Sequence, residues 1–238
     1  MKVIVFDIKG DFAHFKRIYT TSSPLTYSFP PLPTLKGIIG AIYGASKEEY
    51  LSIFSNETTR LAIRIINPIK KIRLGINLIN TKDNFWTPVK RRHHEARTQI
   101  RTEFIKDAHY RIYFSHSDSS ILTVLEDYIK NHKSVFTVSL GLSELLADIE
   151  YIETIDFLEV HNEEVEIASI IPLSFMEERS INFEGNKKYF KERVPFSMNV
   201  DREVDKYEDF IFEPDGKSIK LFMKNFFKGD NGESVSFF

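Results

Sequence analysis

Along residues 2–141 the chain alternates β-rich apolar runs with stretches of helical period, and this alternation limits the fold more than any other feature. KVIVFDI (2–8) reads as a buried first strand that ends at Gly10. Residues 11–33, with four prolines and little periodicity, form a loop too long to be only a connector. A helix follows, with Thr34 as its N-cap and Gly44 as its C-terminal stop. SKEEYLSIF (46–54) predicts a second short helix capped by Ser46. LAIRIINPIKKIRLGINLI (61–79) predicts strands broken near Pro68, and residues 80–101 a charged, exposed hairpin or loop holding Trp86. YRIYFSH (110–116) is a strand, and SSILTVLEDYIKNH (119–132) an amphipathic helix with Ile121, Leu122, Leu125, Tyr128 and Ile129 on one side. VFTVSLG (135–141) is a further strand ending at glycine. The order strand, helix, strand, strand, helix, strand is that of a split βαβ, or ferredoxin-like, domain with helices on one face of an antiparallel sheet. Beyond it, DIEYIETIDFLEV (148–160) adds a strand, and the rest reads as hairpin material with an Asp-Gly turn at 215–216.

The absence of cysteine among 238 residues excludes disulfides, thiolate zinc sites and cysteine nucleophiles. No run of 18 apolar residues exists, and MKVIVFDIKGDF is too short and too quickly polar for a signal peptide, so a cytoplasmic protein without a membrane partner is expected. The net charge of −2 hides an asymmetry. KRRHHEARTQIR (90–101) holds five Lys/Arg against one acid, whereas no Lys or Arg occurs from Ser134 to Glu178. One part suits a polyanion and the other repels it.

The stretch 30-PPLPTLKGIIGAIYG-44 sets Gly37, Gly40, Ala41 and Gly44 at i, i+3, i+4 and i+7, a stripe without bulky side chains. Each glycine costs a helix about 1 kcal/mol, and Lys36 stands where the positive end of the dipole repels it. Two readings are open: tight packing of a neighbouring element on the stripe, or a phosphate held at the helix start by free N–H groups and Lys36.

In KRRHHEARTQIR the arginines suit bidentate phosphate binding. A metal-independent ribonuclease needs a base, an acid and a cation, which His93, His94, Tyr27 or Tyr43, and Lys90 supply in principle. Adjacent histidines in a basic loop serve equally as binders. In 138-VSLGLSELLADI-149 a strand meets Gly141 and then a helix-like turn capped by Ser143, a phosphate cradle in outline that lacks the GxxxxGK[ST] and GxGxxG patterns. No metal or cofactor is implied, and no aromatic RNP1-type strand supports base stacking on the sheet face.

FDIKGDFAHFKR (6–17), TYSFPPLPTLKGIIGAIYG (26–44), RTQIRTEFIKDAHYRIYF (97–114) and VSLGLSELLADI (138–149) together resemble a RAMP-type CRISPR-associated subunit. The family is the fifth numbered Cas family, in its type I-B-like form. The resemblance covers about 150 residues. It implies an α+β architecture: a ferredoxin-like (RRM-like) RAMP domain over residues 1–147 with a basic β-hairpin thumb at 67–101, then a smaller β-rich C-terminal domain over 148–238. It further implies a non-catalytic role in a Cascade surveillance complex, gripping the 5′ handle of the CRISPR RNA (crRNA) beside the backbone RAMP subunit and the large PAM-reading subunit. Thr34, Lys36, Gly37, Gly40, Gly141 and Ser143 would lie by that RNA, and Lys90, Arg91, Arg92, Arg97 and Arg101 on or beside the thumb. The matched segments add Lys16, Arg17, Tyr27 and Gln99. One branch of the family, in type I-C systems, cuts precursor crRNA with a tyrosine, a lysine and a histidine. Tyr43, Lys90 and His93 or His94 are the alternative catalytic set that branch implies.

Overall fold

Both faces of the first strand are apolar, which places β1 (Lys2–Ala13) at the centre of the molecule. The computed structural model describes residues 1–20, 22–80 and 95–238, with the backbone alone for 177–179. After β1 come α1 (Leu32–Tyr43), α2 (Tyr50–Ile53), β2 (Thr59–Ile65), β3 (Lys70–Ile79), β4 (Arg97–His116), α3 (Ser119–Lys130) and β5 (Asp148–Ile167). The C-terminal part adds β6 (Ile171–Pro172), β7 (Met176–Ile181), β8 (Phe190–Met198), β9 (Val204–Phe212), β10 (Ile219–Gly229) and β11 (Ser234–Val235).

The large sheet runs β11-β10-β5-β1-β4-β2, with β3 paired to β4 and β7 to β10; β6, β9 and β8 form a second sheet. Within the large sheet, β5-β1-β4-β2 with α1 and α3 is the predicted ferredoxin-like order, and β4 and β5 both flank β1 antiparallel. Ile4, Phe6 and Ile8 meet Leu35, Ile39 and Ile42 of α1 and Leu122, Leu125 and Ile129 of α3 in the main core. Val3 and Val5 face the other way, onto Phe157, Val235 and Phe237. Burying a side chain of this size stabilises by about 1.5–3 kcal/mol, so the twofold apolar character of β1 fixes its central place.

Several expectations are corrected. VFTVSLG (135–141) is no strand. Val135 and Phe136 donate instead to the Ile42 and Ala41 carbonyls at the end of α1 (3.3 and 2.9 Å), and Ser139 bridges Leu146. The place beside β1 belongs to β5, whose 20 residues pair with β1 through Asp148–Asp156 and with β10 from Phe157 to Ile167. Helix α1 begins at Leu32, not after Thr34. Pro31 is its N-cap, the Leu35 amide donates to the Pro31 carbonyl (2.9 Å), and Pro33 lies where a missing N–H costs nothing. Lys36 is therefore in the second turn. Only Tyr50–Ile53 of the segment 46–54 is helical, with Ser46 bonded to Glu49 (2.6 Å), and Ser143 starts a turn rather than a helix. The Asp-Gly turn at 215–216 exists, with Gly216 at φ +83°, but it joins strands of different sheets rather than a hairpin. The acids of 148–166 are partly balanced by lysines of adjacent strands. Lys9 lies 2.7 Å from Glu150 and 3.5 Å from Asp148, and Lys220 lies 3.2 Å from Glu164.

The long loop after β1 is ordered by aromatic contacts. Phe29 meets Phe210 and Phe212 of β9 edge-on, with centroids 5.7 and 5.3 Å apart. Each such pair contributes about 0.5–1.5 kcal/mol, tying the loop to the second sheet.

Candidate nucleic-acid interface

Strands β3 and β4 form the hairpin expected as a thumb, paired from Lys70↔Lys106 to Ile79↔Arg97. Side chains alternate across a strand, so the register sorts them onto two faces. Ile72, Leu74, Ile76 and Leu78 share one face with Ile100 and Phe104. Lys71, Arg73 and Asn77 share the other with Arg97, Gln99 and Arg101. Arg97, Gln99 and Arg101 are exposed, and Arg73 stands 3.7 Å from Glu103 with most of its side chain in solvent. Gly75 leaves room for Gln99 to lie across the strand, since a Cβ there would fall 2.9 Å from Gln99 Nε2. Lys90, Arg91, Arg92, His93 and His94, like Trp86, lie outside the described residues.

The cationic face continues into the loop at the base of the hairpin. Lys71 Nζ donates to the Thr26 carbonyl (3.0 Å) and lies 3.9 Å from Glu192. Arg17 donates through Nε to the Thr26 carbonyl (3.2 Å), through Nη1 to the Tyr19 hydroxyl (2.8 Å) and through Nη2 to Glu192. Its guanidinium stands 5.3 Å from the Tyr27 ring centroid. Glu192 also accepts from the Ser28 amide at 2.8 Å. Two cations thus share one buried carboxylate. Burial, then Arg17, pulls Lys71 down to about 8. Burial, then the Tyr207 and Tyr19 hydroxyls, pushes Tyr27 up to about 12. Tyr27 is 1% exposed, so it supports Arg17 and does not itself present a surface. Lys16 is exposed, bridged to Thr26.

Thr34, Gly37 and Gly141 line one open cleft of roughly 450 Å³ with Tyr50, Ser139 and Arg202. Packing accounts for two members of the glycine stripe. A Cβ on Gly40 would press on Tyr50 Cβ at 3.0 Å, and Gly44, at φ +94°, lies against Val135. Gly37 has only an ordinary 3.8 Å contact and borders the cleft. Arg202 sits 5.9 Å from the Tyr50 ring centroid and donates to the Lys47 carbonyl at 3.3 Å. Strand β8 joins the two regions, carrying Glu192 at the hairpin base and Met198 at the cleft.

Lys36 is not in the cleft lining. It is 5% exposed, and its ammonium donates to Asn56 Oδ1. Burial pulls it down to about 8, against the opposing attraction of Asp205. The folded value lies below the unfolded 10.5, so the unfolded chain binds more protons between pH 8 and 10.5. The cost of the buried cation is therefore full below pH 8 and fades as pH rises toward 10.5. Lys36→Met is expected to raise stability by about 2–3 kcal/mol at pH 7 and by much less at pH 10. Denaturant titrations at both pH values check this; a Met variant weaker at pH 7 would mean that the ammonium's partners outweigh its desolvation.

Ser143 is exposed, with its hydroxyl 3.3 Å from Glu144. Tyr43 packs edge-on against Phe54 at 5.9 Å, while Lys90, His93 and His94 of the alternative catalytic set are outside the described residues. Among the described residues no three His, Asp or Glu side chains group in a way that could hold a metal ion. Sequence reasoning missed Lys71, Arg73, Lys191, Arg193 and Arg202. For the first two the signal was present, because KKIRLGIN alternates cation and apolar residues opposite RTQIR.

A ferredoxin-like sheet whose third strand runs out into a two-faced hairpin defines a RAMP-type fold. The family model described as "CRISPR-associated protein (Cas_Cas5)" matches residues 3–209. The chain belongs to that family. Among solved structures it is similar to a CRISPR protein from Archaeoglobus fulgidus, at 14% identity and a TM-score of 0.60 over 99% of this chain and 98% of that one. It is also similar to a chain of a "CRISPR RNA-guided surveillance complex", at 10% identity and a TM-score of 0.54 over 92% and 91% of the two chains. No curated protein sequence matches it. Among the described residues no helix is long and apolar enough to cross a membrane.

Proposed function

We propose that the chain is a non-catalytic RNA-binding subunit of a type I CRISPR surveillance complex that caps the 5′ handle of the crRNA. Its protein neighbours in this reading are the backbone RAMP subunit and the large PAM-reading subunit. The observation that carries the reading is the hairpin register, which gathers Lys71, Arg73, Arg97, Gln99 and Arg101 on one face. Exposed arginine forks in a row suit successive phosphates of a single strand. Family membership and the likeness to a surveillance-complex chain support the assignment of that strand as crRNA.

The test mixes the purified chain with a labelled RNA carrying repeat and handle, in EDTA, read on native and denaturing gels. A shifted, intact RNA is expected. Cleavage in EDTA would overturn the non-catalytic assignment and favour a metal-independent endoribonuclease built on Tyr43, Lys90, His93 and His94. Unshifted RNA would count against direct RNA binding by this subunit.

A further inference from the structure

Beside the hairpin base, three tyrosines and three cations meet around one carboxylate, and Tyr19, Tyr207, Lys191 and Arg193 among them have no part in the reading above. Arg17, Tyr19, Tyr27, Lys191, Arg193 and Tyr207 line a cleft of roughly 480 Å³ with Glu192. That is within the range of small-ligand sites, about 300–1,000 Å³. We propose that this cleft takes one unstacked nucleobase of a bound single-stranded RNA, with Lys191 and Arg193 beside its flanking phosphate. The inference rests on the RNA-binding reading and names the part of the RNA that the cleft receives.

Three features carry it. The first is aromatic exposure: Tyr19 is 70% and Tyr207 38% exposed, whereas among the described residues most other large rings lie in the core, Phe136, Phe175, Phe183 and Phe190 apart. Exposed rings beside cations are what a base needs, because every base has a π-face and each stacked base contributes about 1–3 kcal/mol. The second is a floor already held in position. Three of the five guanidinium N–H groups of Arg17 are committed, to Thr26, Tyr19 and Glu192, and the plane lies over Tyr27. A flat cation fixed in this way offers a stacking or edge contact with little ordering left to do. The third is charge. Among the described residues, Arg17, Lys71, Lys191 and Arg193 are set against three acids: Glu192, Asp209 at 2.9 Å from Lys191, and Glu103, whose carboxylate acts on Lys71 and accepts from the Thr26 amide at 3.3 Å. The surplus is positive where a phosphate would flank the base. Arg193 also stands 5.6 Å from the Tyr207 ring centroid and holds that ring at the cleft. Because Arg17 and Lys71 share Glu192, the cleft is continuous with the cationic face of the hairpin, so one strand can run along both.

The experiment uses the full chain and a fluorescein-labelled oligouridylate of about 12 nucleotides, titrated across a salt series. Tyr19→Ala and Tyr207→Ala are each expected to weaken binding about 5- to 100-fold without changing the salt slope, since neither removes a cation. Tyr207→Phe, which keeps the ring, should bind within about 2-fold of the wild type. A 5-iodouridine version of the same RNA should photocrosslink to the peptide carrying Tyr19 or Tyr207. Both rings are exposed, and unchanged melting temperatures will exclude misfolding. If the wild type binds the RNA but both alanine variants bind as tightly and crosslinks fall elsewhere, the base slot is refuted and RNA binding stands. If the wild type binds no RNA even at low salt, the RNA-binding reading fails and the slot fails with it.

Discussion

Replacing Arg73, Arg97 and Arg101 together with alanine is expected to reduce affinity for single-stranded RNA on the order of a hundredfold at physiological salt. The same change should flatten the salt dependence. Each cation that neutralises a phosphate of a single strand contributes about −0.7 to the slope of log K against log salt, so three lost contacts should reduce the slope by about 2. All three side chains lie on one face of the hairpin, and the rung pairs Arg73↔Glu103, Gly75↔Arg101 and Ile79↔Arg97 fix that placement. The substitutions touch no core residue, so the melting temperature should hold. A slope unchanged despite weaker binding would point to lost hydrogen bonds rather than phosphate contacts. Affinity and slope both unchanged would move the RNA off this face.

The second large effect is on folding. Gly141→Ala is expected to destabilise by about 4 kcal/mol or more, read as a fall of roughly 10 °C in Tm or as loss of soluble protein. Gly141 adopts φ +107°, and a Cβ there would lie 2.0 Å from the His14 carbonyl oxygen and 2.8 Å from its carbon. Neither backbone can yield. The His14 amide donates to the Leu140 carbonyl at 2.9 Å, and its ring Nδ1 lies 2.7 Å from the Glu103 carbonyl, which can only accept. The crossing of 13–15 over 139–141 therefore anchors both the cleft and the hairpin base. Gly37→Ala is the matched control. Its Cβ would meet nothing closer than 3.8 Å, and alanine gains up to about 1 kcal/mol in a helix. The control should stay folded while narrowing the cleft. Equal stability for the two variants would refute the steric account of Gly141.

The elements with strong period are legible in the sequence. KVIVFDI, the strands on either side of Pro68 and the apolar stripe of 119–132 are where periodicity placed them. The stop expected at Gly10 is not there: β1 runs through it to Ala13, because Gly10, Phe12 and Ala13 keep pairing with Ala108, Lys106 and Ile105 of the long β4. VFTVSLG deceived because β-propensity measures fit to a pleated, half-buried surface, and here the end of α1 received that segment's N–H groups instead. The glycine stripe was legible as a place of close approach. Its partners, Tyr50 and Val135, were not, because long-range packing leaves no local trace. Lys36 looked like an anion ligand by its position near the helix start. A one-turn error in that start, set by Pro31 rather than Thr34, moved it to a buried contact with Asn56. Arg97, Gln99 and Arg101 could be named but not oriented, because which face a hairpin residue takes depends on register.

Strands β4 and β5 are each 20 residues long, roughly 65 Å of contour at about 3.3 Å per residue. The first is hairpin for half its length and central sheet for the rest; the second completes that sheet and then becomes the scaffold for β10. Two unbroken beams thus cross the molecule side by side, separated only by β1. A load applied to the hairpin by a tethered strand reaches the C-terminal part through backbone hydrogen bonds in shear, with no linker to absorb it. In the proposed RNA-binding role, a subunit built in this way would act as a bracket, passing the position of a gripped strand to whatever is fastened at its far side.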